Sequence, residues 1–242
     1  MAIRGIVLAG GKGTRLGELT RVTNKHLLPV GPVPMVYHPI QKIVGAGIKE
    51  VLLVSGTEHM GDFVELLGSG KDHKCSLTYR VQDEAGGIAQ ALGLAETYCA
   101  GNRCLVILGD NIFHASVKPM LDEADKHPDW AWVGLKQVPD PGRYGVAELK
   151  GHQVVGIEEK PKQPKSDYAV VGVYIYPADV FQVIKTLKPS GRGELEITDV
   201  NNYYLKAGRL GHSKIEGYWT DAGTLDSLAF ANQLVNESPP VF

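Results

Sequence analysis

Cysteine is scarce in this chain, and the three present, Cys75, Cys99 and Cys104, form no C-x-x-C pair. An odd number without that spacing speaks against both a disulfide framework and a zinc site, leaving small buried or half-buried thiols as the plain reading. The eight histidines show neither H-E-x-x-H nor another regular ligand spacing, which argues against metal binding by imidazole. Long hydrophobic runs are missing too. Nothing approaches the roughly 18 apolar residues of a membrane span, and the apolar run after Gly5 stops at Gly10, without the long apolar h-region of a signal peptide. Charge of one sign does not dominate, because 25 basic side chains face 27 acidic ones. No global field then favours nucleic acid or an anionic membrane, so any anion site must be local, and a soluble cytoplasmic protein is expected.

What is present is a chain of 242 residues, long enough for a sizeable core. It opens on an apolar run, Ile6 to Ala9, with the length and β-branching of a buried strand. The run breaks at Gly10-Gly11-Lys12-Gly13, where the backbone can turn sharply and bring its N–H groups up to a ligand. Thr14 and Arg15 follow, and Lys25 comes ten positions later, so cations flank a glycine loop, an arrangement suited to a polyphosphate. Two familiar loops are excluded. A dinucleotide fingerprint would need glycine where Leu16 stands, and the nearest P-loop candidate, Gly70-Lys71, has Glu65 in place of its first glycine and Asp72 after the lysine.

Strand and helix signals then alternate. Helices are predicted over 34–46, 60–67 and 88–98, and strands over 50–55, 76–81 and 104–108, the last being the most apolar run in the chain and so a central strand. Such an order implies a mostly parallel sheet with helices on both faces and ligands at the carboxyl ends of its strands. Gly10 to Arg15, Gln82 to Gly87 and Asp110 all follow strand ends directly, so three separate loops should line one crevice. After a helix near 117–126 the rhythm becomes strand-rich (131–137, 146–149, 154–158, 170–176), implying a second layer or an extension of the sheet, partly antiparallel, over the nucleotide half. Helices over 178–187 and 195–207, a strand over 209–215, a closing helix over 224–235 capped by Thr224 or Asp226, and a loose tail over 236–242 complete the reading.

The run G-G-K-G-T-R-L followed by K-H-L-L-P-V resembles the pyrophosphorylase loop of the sugar-phosphate nucleotidyltransferases, most closely those that act on glucose 1-phosphate with dTTP. The resemblance implies a Rossmann-like mixed sheet in one domain, residues 1–235, with a nucleotide-binding half over about 1–127 and a smaller, partly antiparallel sugar-binding and assembly half over about 128–235. It implies transfer of a thymidylyl group from dTTP to α-D-glucose 1-phosphate, with Mg²⁺ as cofactor and a homotetrameric assembly. UTP or another hexose 1-phosphate is the alternative substrate pair, and a non-catalytic nucleotide-sugar sensor the alternative class. Family positions for the nucleotide fall on Leu8, Gly10, Gly11, Gly13, Thr14, Arg15, Gln82, Gly87 and Asp110. Those for the sugar phosphate fall on Lys25, Tyr144, Gly145, Glu159, Lys160, Val170, Tyr174, Arg192 and Trp219. Asp110 in L-G-D-N and Asp221 in W-T-D-A-G match the metal-binding aspartates, although each by itself serves equally well as a turn or cap residue.

The residue types suit that chemistry. A sugar phosphate is ionised at neutral pH, so joining it to a nucleoside triphosphate needs no general base; it needs negative charges brought together by cations, N–H donors and a hard dication. Arg15 and Lys25 are the catalytic candidates. Two features depart from the family pattern. Val171 stands where long-chain members carry threonine, which would lose or move a hydroxyl contact to sugar. The chain also stops soon after the closing helix, without the longer extension from which those members partly build a feedback site for the nucleotide-sugar product, and this puts that site in doubt.

Overall fold

The computed structural model describes residues 2–242. Strand β1 (Ile3–Leu8) leads into the glycine loop, a 3₁₀ stretch over Thr14–Thr20 and a 3₁₀ turn over Lys25–Leu27. A tight hairpin follows, β2 (Pro29–Val30) and β3 (Val33–Pro34), and then α1 (Tyr37–Gly45), β4 (Glu50–Gly56), α2 (Met60–Leu67) and β5 (Ser76–Gln82). The single helix predicted over 88–98 is two, α3 (Ile88–Gly93) and α4 (Glu96–Cys99). Gly93, a poor helix former, ends the first, and the Ala95 N–H donates to Leu92 three residues back, tightening the turn.

The chain continues through β6 (Arg103–Leu108), β7 (Asn111–Phe113), α5 (Lys118–Ala124), β8 (Ala131–Gln137), β9 (Gly145–Lys150), β10 (Gln153–Glu159) and β11 (Tyr168–Tyr176). It closes with α6 (Val180–Thr186), α7 (Ile197–Lys206), β12 (Leu210–Lys214), β13 (Trp219–Asp221) and α8 (Leu225–Glu237).

Parallel pairing joins β5, β4, β1 and β6. Along β1, β4 and β6 the side chains alternate: Ile6, Leu8, Leu52, Val54 and Val106 enter one core, whereas Val7, Ala9, Leu53, Leu105 and Ile107 enter the other. Burial on both faces explains why these strands read as unbroken apolar runs. The strand-rich second half is the extension and not a separate layer, since β11 pairs antiparallel with β6 and carries the same sheet onward.

At β11 the sheet forks. On one edge Tyr168 to Val170 and, past a bulge, Tyr174 and Ile175 pair with β8; on the other edge Val173 to Tyr176 pair with β6, and Ala169 and Val170 pair with β9. Gly172 lies at the fork, where its N–H donates to the Asn111 side chain at 2.9 Å. A Cβ there would meet the Leu108 side chain at 2.6 Å, so only glycine lets the end of β6 come this close. The fork leaves an open notch between the end of β6 and the start of β9.

A third core, with Leu16, Val30, Met35, Ile112 and Ala222, receives Leu228, Ala231 and Val235 of α8 and ties the last helix to the first loop. The segment read as a loose tail also packs. Asn236 and Glu237 belong to α8, and the Val241 N–H donates to the His114 carbonyl at 2.8 Å. Buried Lys42 donates to the carbonyls of His114 at 2.7 Å and Ala115 at 2.8 Å, and to that of Val241, while lying over the Phe113 and Phe242 rings. An ammonium far from solvent needs such acceptors, and the tail provides one of them. No helix among the described residues is long and apolar enough to cross a membrane.

Thr224, rather than Asp226, caps α8: its hydroxyl accepts the Ser227 N–H at 3.2 Å and its own N–H donates to the Ser227 hydroxyl at 3.0 Å. Thr224→Ala should therefore lower stability by about 1 kcal/mol in urea unfolding. Asp226→Ala, which loses only an interaction with the helix dipole, should cost less.

Candidate functional site

The ends of β1, β5 and β6 meet in one crevice. The glycine loop leaving β1 is crowded in two places. A Cβ on Gly10 would lie 2.2 Å from Gln82 Oε1, and Gly13, at φ 68°, would carry a Cβ 2.9 Å from Lys25 Cβ. Glycine thus lets the loop fold under Lys25 and lets Gln82 reach across its top. Gln82 is buried, with its amide donating to Gln90 Oε1 at 2.6 Å. Gly87, at φ 96°, packs so close to the Leu195 carbonyl that a Cβ would sit 2.6 Å from it.

Two cavities open from this crevice. One of about 250 Å³ is bordered by Leu8, Gly10, Gly11, Lys25, Gln82, Gly87 and Asp110. The other, about 460 Å³, occupies the notch at the sheet fork and is bordered by Arg15, Asp110, Tyr144, Gly145, Glu159, Lys160, Val170, Tyr174, Arg192, Trp219 and Asp221. Asp110 faces both. Of the sequence candidates, Gly13 and Thr14 border neither: Gly13 underlies Lys25, and Thr14 begins the exposed 3₁₀ stretch. Lys12 is exposed and pairs loosely with Glu58 at 3.6 Å.

Charge concentrates where the cavities join. Lys25, 8% exposed, pairs with Asp110. Burial would push the Asp110 carboxyl up, but the Lys25 ammonium and the Asn111 amide, which donates to Oδ1 at 3.0 Å, outweigh it and hold the group well below the usual carboxylate range. His26 lies behind them, buried. Asn24 Oδ1 accepts both the His26 backbone N–H at 2.9 Å and ring Nδ1 at 2.7 Å. The oxygen is an acceptor for both, so Nδ1 carries the proton. Burial, reinforced by Lys25, pushes the imidazole down to about 3.

Asp221 approaches through the pairing of β13 with β7, which sets it opposite Asn111, and the Ala222 N–H donates to the Asp110 carbonyl at 2.8 Å. Its carboxylate accepts from the Tyr144 hydroxyl at 3.0 Å and from Arg143 Nη2 at 3.2 Å. Burial and the charge of Asp110 raise its affinity for a proton. Two carboxylates that repel each other across a crevice supply the hard oxygen donors a small dication takes, so the residues present fit such an ion. Arg15 leans on the same turn, with Nη2 3.0 Å from where a Cβ of Gly223 would be.

On the notch side, Glu159 Oε2 accepts from the Thr198 hydroxyl at 2.6 Å, and Oε1 lies 3.4 Å from Arg192 and 3.8 Å from Lys160. Glu196 grips Arg192 through contacts of 3.1 and 2.8 Å, and Ser190 steadies Glu196 at 2.7 Å. Lys160 adopts φ 44°, unusual for a non-glycine residue, and its N–H donates to the Tyr144 carbonyl at 2.9 Å.

Val171 does not face this cavity. It is buried in the core on the opposite face of the sheet, 3.0 Å from where Gly134 would carry a Cβ. The residue type at 171 therefore alters core packing here and removes no contact with the cavity.

Sequence reasoning missed four residues: Asn111, Arg143, Glu196 and Thr198. Asn111 holds Asp110, Gly172 and, at 2.7 Å, the Trp219 indole N–H together. Asn111 lies within L-G-D-N; Arg143 and Thr198 meet Asp221 and Glu159 across 78 and 39 residues, whereas Glu196 holds the nearby Arg192.

The fold and the site define an α/β enzyme that transfers nucleotidyl groups, and the chain belongs to the nucleotidyl transferase family, whose model matches residues 4–238. Curated relatives include the glucose-1-phosphate thymidylyltransferases of Neisseria meningitidis, 42% identical over 96% of this chain and 82% of that protein, and of Xanthomonas campestris, 43% identical over 93% and 78%. Among solved structures, a Bacillus anthracis protein provisionally assigned as a glucose-1-phosphate thymidylyltransferase, crystallised with sucrose, is 53% identical. Its TM-score is 0.94, covering 100% of this chain and 97% of that one. A UDP-glucose pyrophosphorylase bound to UDP-glucose, 24% identical, shares the fold with a TM-score of 0.86 over 98% and 99% of the two chains.

Neutral His26 links the site to stability. Its proton affinity is depressed in the folded chain, so the unfolded state binds more protons between pH 6.5 and about 3. The stabilisation is complete above that range and is lost as pH falls through it. Lowering the pH from 7.5 to 5 should cost the natural chain about 2 kcal/mol more than His26→Gln, measured by urea unfolding at both values.

Proposed function

We propose that this crevice transfers a thymidylyl group from dTTP to α-D-glucose 1-phosphate, giving dTDP-glucose and pyrophosphate. The observation that carries the reading is the junction at Asp110. There a glycine loop, a buried lysine and a second aspartate meet the mouth of a cavity whose wall holds Glu159, Lys160 and Arg192. The substrates follow from the names of relatives about 40% identical over nearly the whole chain.

A phosphate oxygen of the sugar 1-phosphate attacks the α-phosphorus of the triphosphate. A new P–O bond forms as the bond to the bridging oxygen of pyrophosphate breaks, and the leaving group keeps the electron pair. No proton has to move, so the work is positioning and charge neutralisation. Lys25 neutralises the α-phosphate and the incoming phosphate, while Arg15 forks across the departing pyrophosphate. The N–H groups of Gly10 and Gly11 hold the polyphosphate, and Leu8 closes the floor.

Gln82 offers an amide edge to the base, and Gly87 lets the base approach the backbone. In the notch Glu159 accepts from sugar hydroxyls, and Lys160 and Arg192 hold the sugar phosphate. Tyr144, Gly145, Val170, Tyr174 and Trp219 shape the wall. Asp110 and Asp221 would hold Mg²⁺, which supplies charge neutralisation at the polyphosphate when bound. A homotetramer working in the cytoplasm, in nucleotide-sugar synthesis, completes the proposal.

Mass spectrometry of products formed from panels of nucleoside triphosphates and sugar 1-phosphates, with Mg²⁺, should find dTDP-glucose as the favoured product. UTP, which differs from dTTP in the base by one methyl group, should be accepted less well, within about two orders of magnitude. Lys25→Ala should fold normally by circular dichroism and lose about 100-fold or more in turnover. Near-normal turnover in that variant would overturn the assignment.

A further inference from the structure

Each of the two central aspartates is neutralised by a cation of this chain, and the two cations differ in kind. Lys25 is buried against Asp110, 8% exposed. Arg143 ends a 3₁₀ turn, Pro141–Arg143, at the mouth of the notch, and its side chain is 41% exposed. Nη2 lies 3.2 and 3.4 Å from the two oxygens of Asp221, whereas Nη1 is moored to the half-exposed Asp140 at 2.8 Å. The Asp221 side chain is only 14% exposed, and the hydrogen bonds its oxygens accept come from Arg143 and Tyr144 alone among the described residues.

A dication using both carboxylates therefore competes with Arg143 for the Asp221 oxygens. The displaced guanidinium would remain in the notch, because Arg143 borders the same cavity as Lys160 and Arg192. With its guanidinium end in solvent and contacts of 3.2 and 3.4 Å, the pair is weak enough to be exchanged. Without it Asp221 would face Asp110 with no cation of its own nearby except Arg15.

We propose that Arg143 is a placeholder cation, which neutralises Asp221 while no dication is bound and, once displaced, turns to the phosphate of the incoming sugar 1-phosphate. This rests on the metal and sugar-phosphate roles proposed above. It makes the two ligands cooperative: a dication releases the arginine that the sugar phosphate uses, and the sugar phosphate holds that arginine away from the dication's ligand. Such coupling is reciprocal, so each ligand tightens the other by the same factor. The same residue thus opposes one ligand and assists the other, which a merely structural arginine would not do.

Equilibrium titration of the substrate-free protein with Mn²⁺, read by the electron paramagnetic resonance of the free ion, tests this directly. Arg143→Ala should bind Mn²⁺ about two- to fivefold tighter than the natural chain, as expected for loss of a competing ion pair whose arginine end is in solvent. Its KM for glucose 1-phosphate should rise about tenfold, the loss of one charge-assisted contact. Glucose 1-phosphate should tighten Mn²⁺ binding in the natural chain and not in Arg143→Ala, and Arg143→Lys should restore part of that coupling.

Mn²⁺ binding by Arg143→Ala that is unchanged or weaker, or coupling that persists without the arginine, would overturn the inference. Asp221→Asn separates this from the reading beneath it. If that variant binds Mn²⁺ as the natural chain does, the metal assignment itself is wrong. If it loses the ion while Arg143→Ala gains nothing, only the placeholder role fails.

Discussion

The buried pair of Lys25 and Asp110 is the constraint on which the site depends. An aspartate at the end of the central strand β6 is largely withdrawn from water, and an ammonium and an amide held against it favour its charged form. Much of the surrounding structure serves that contact. Gly13 turns the first loop so that Lys25 can lie above it, and Gly109 has no side chain to collide with His26, whose ring would lie 2.6 Å from a Cβ there. Asn24 fixes which imidazole nitrogen carries the proton and burial keeps the ring neutral, so no second cation competes for Asp110. A pair built this way gives little net stability, but it presents a defined charge at a defined place.

Around this centre the sheet changes character. The parallel half supplies loops at strand ends, the usual location of phosphate chemistry in such sheets. The antiparallel half supplies a wall, because β11 leaves β6 for β9 partway along its edge and opens a notch. Asn111 occupies the fork and takes up the N–H that Gly172 would otherwise give to a neighbouring strand. One amide side chain thus satisfies a broken ladder, orients Trp219 and steadies Asp110. Asp110, the metal-ligand candidate that Asn111 steadies, borders the proposed compartments of both substrates.

The elements readable in advance were those with a local cause. Alternating burial on two faces made β1, β4 and β6 continuous apolar runs, and the glycine loop and the L-G-D-N and W-T-D-A-G turns carried their own chemistry in a few consecutive residues. Less visible were β2, β3 and β7, which are two or three residues long and owe their existence to pairing. The break between α3 and α4 turned on one glycine, and the packing of the tail on Lys42, 199 residues from Val241 in sequence. Val171 shows the same limit differently. Its position in a motif was plain, but only the pleat of β11 decides which face of the sheet its side chain enters.

By itself, then, the sequence determined the α/β class, the phosphate-suited loop and the residues with the right charge to serve it, because strand periodicity and turn chemistry are local properties of a chain. Tertiary structure decided which groups meet: Thr198 on Glu159 across 39 residues, Arg143 on Asp221 across 78 and Asn111 on Trp219 across 108. Those contacts follow from strand order and from the fork at β11, and both are set by how the cores are filled at once rather than by any short stretch of residues.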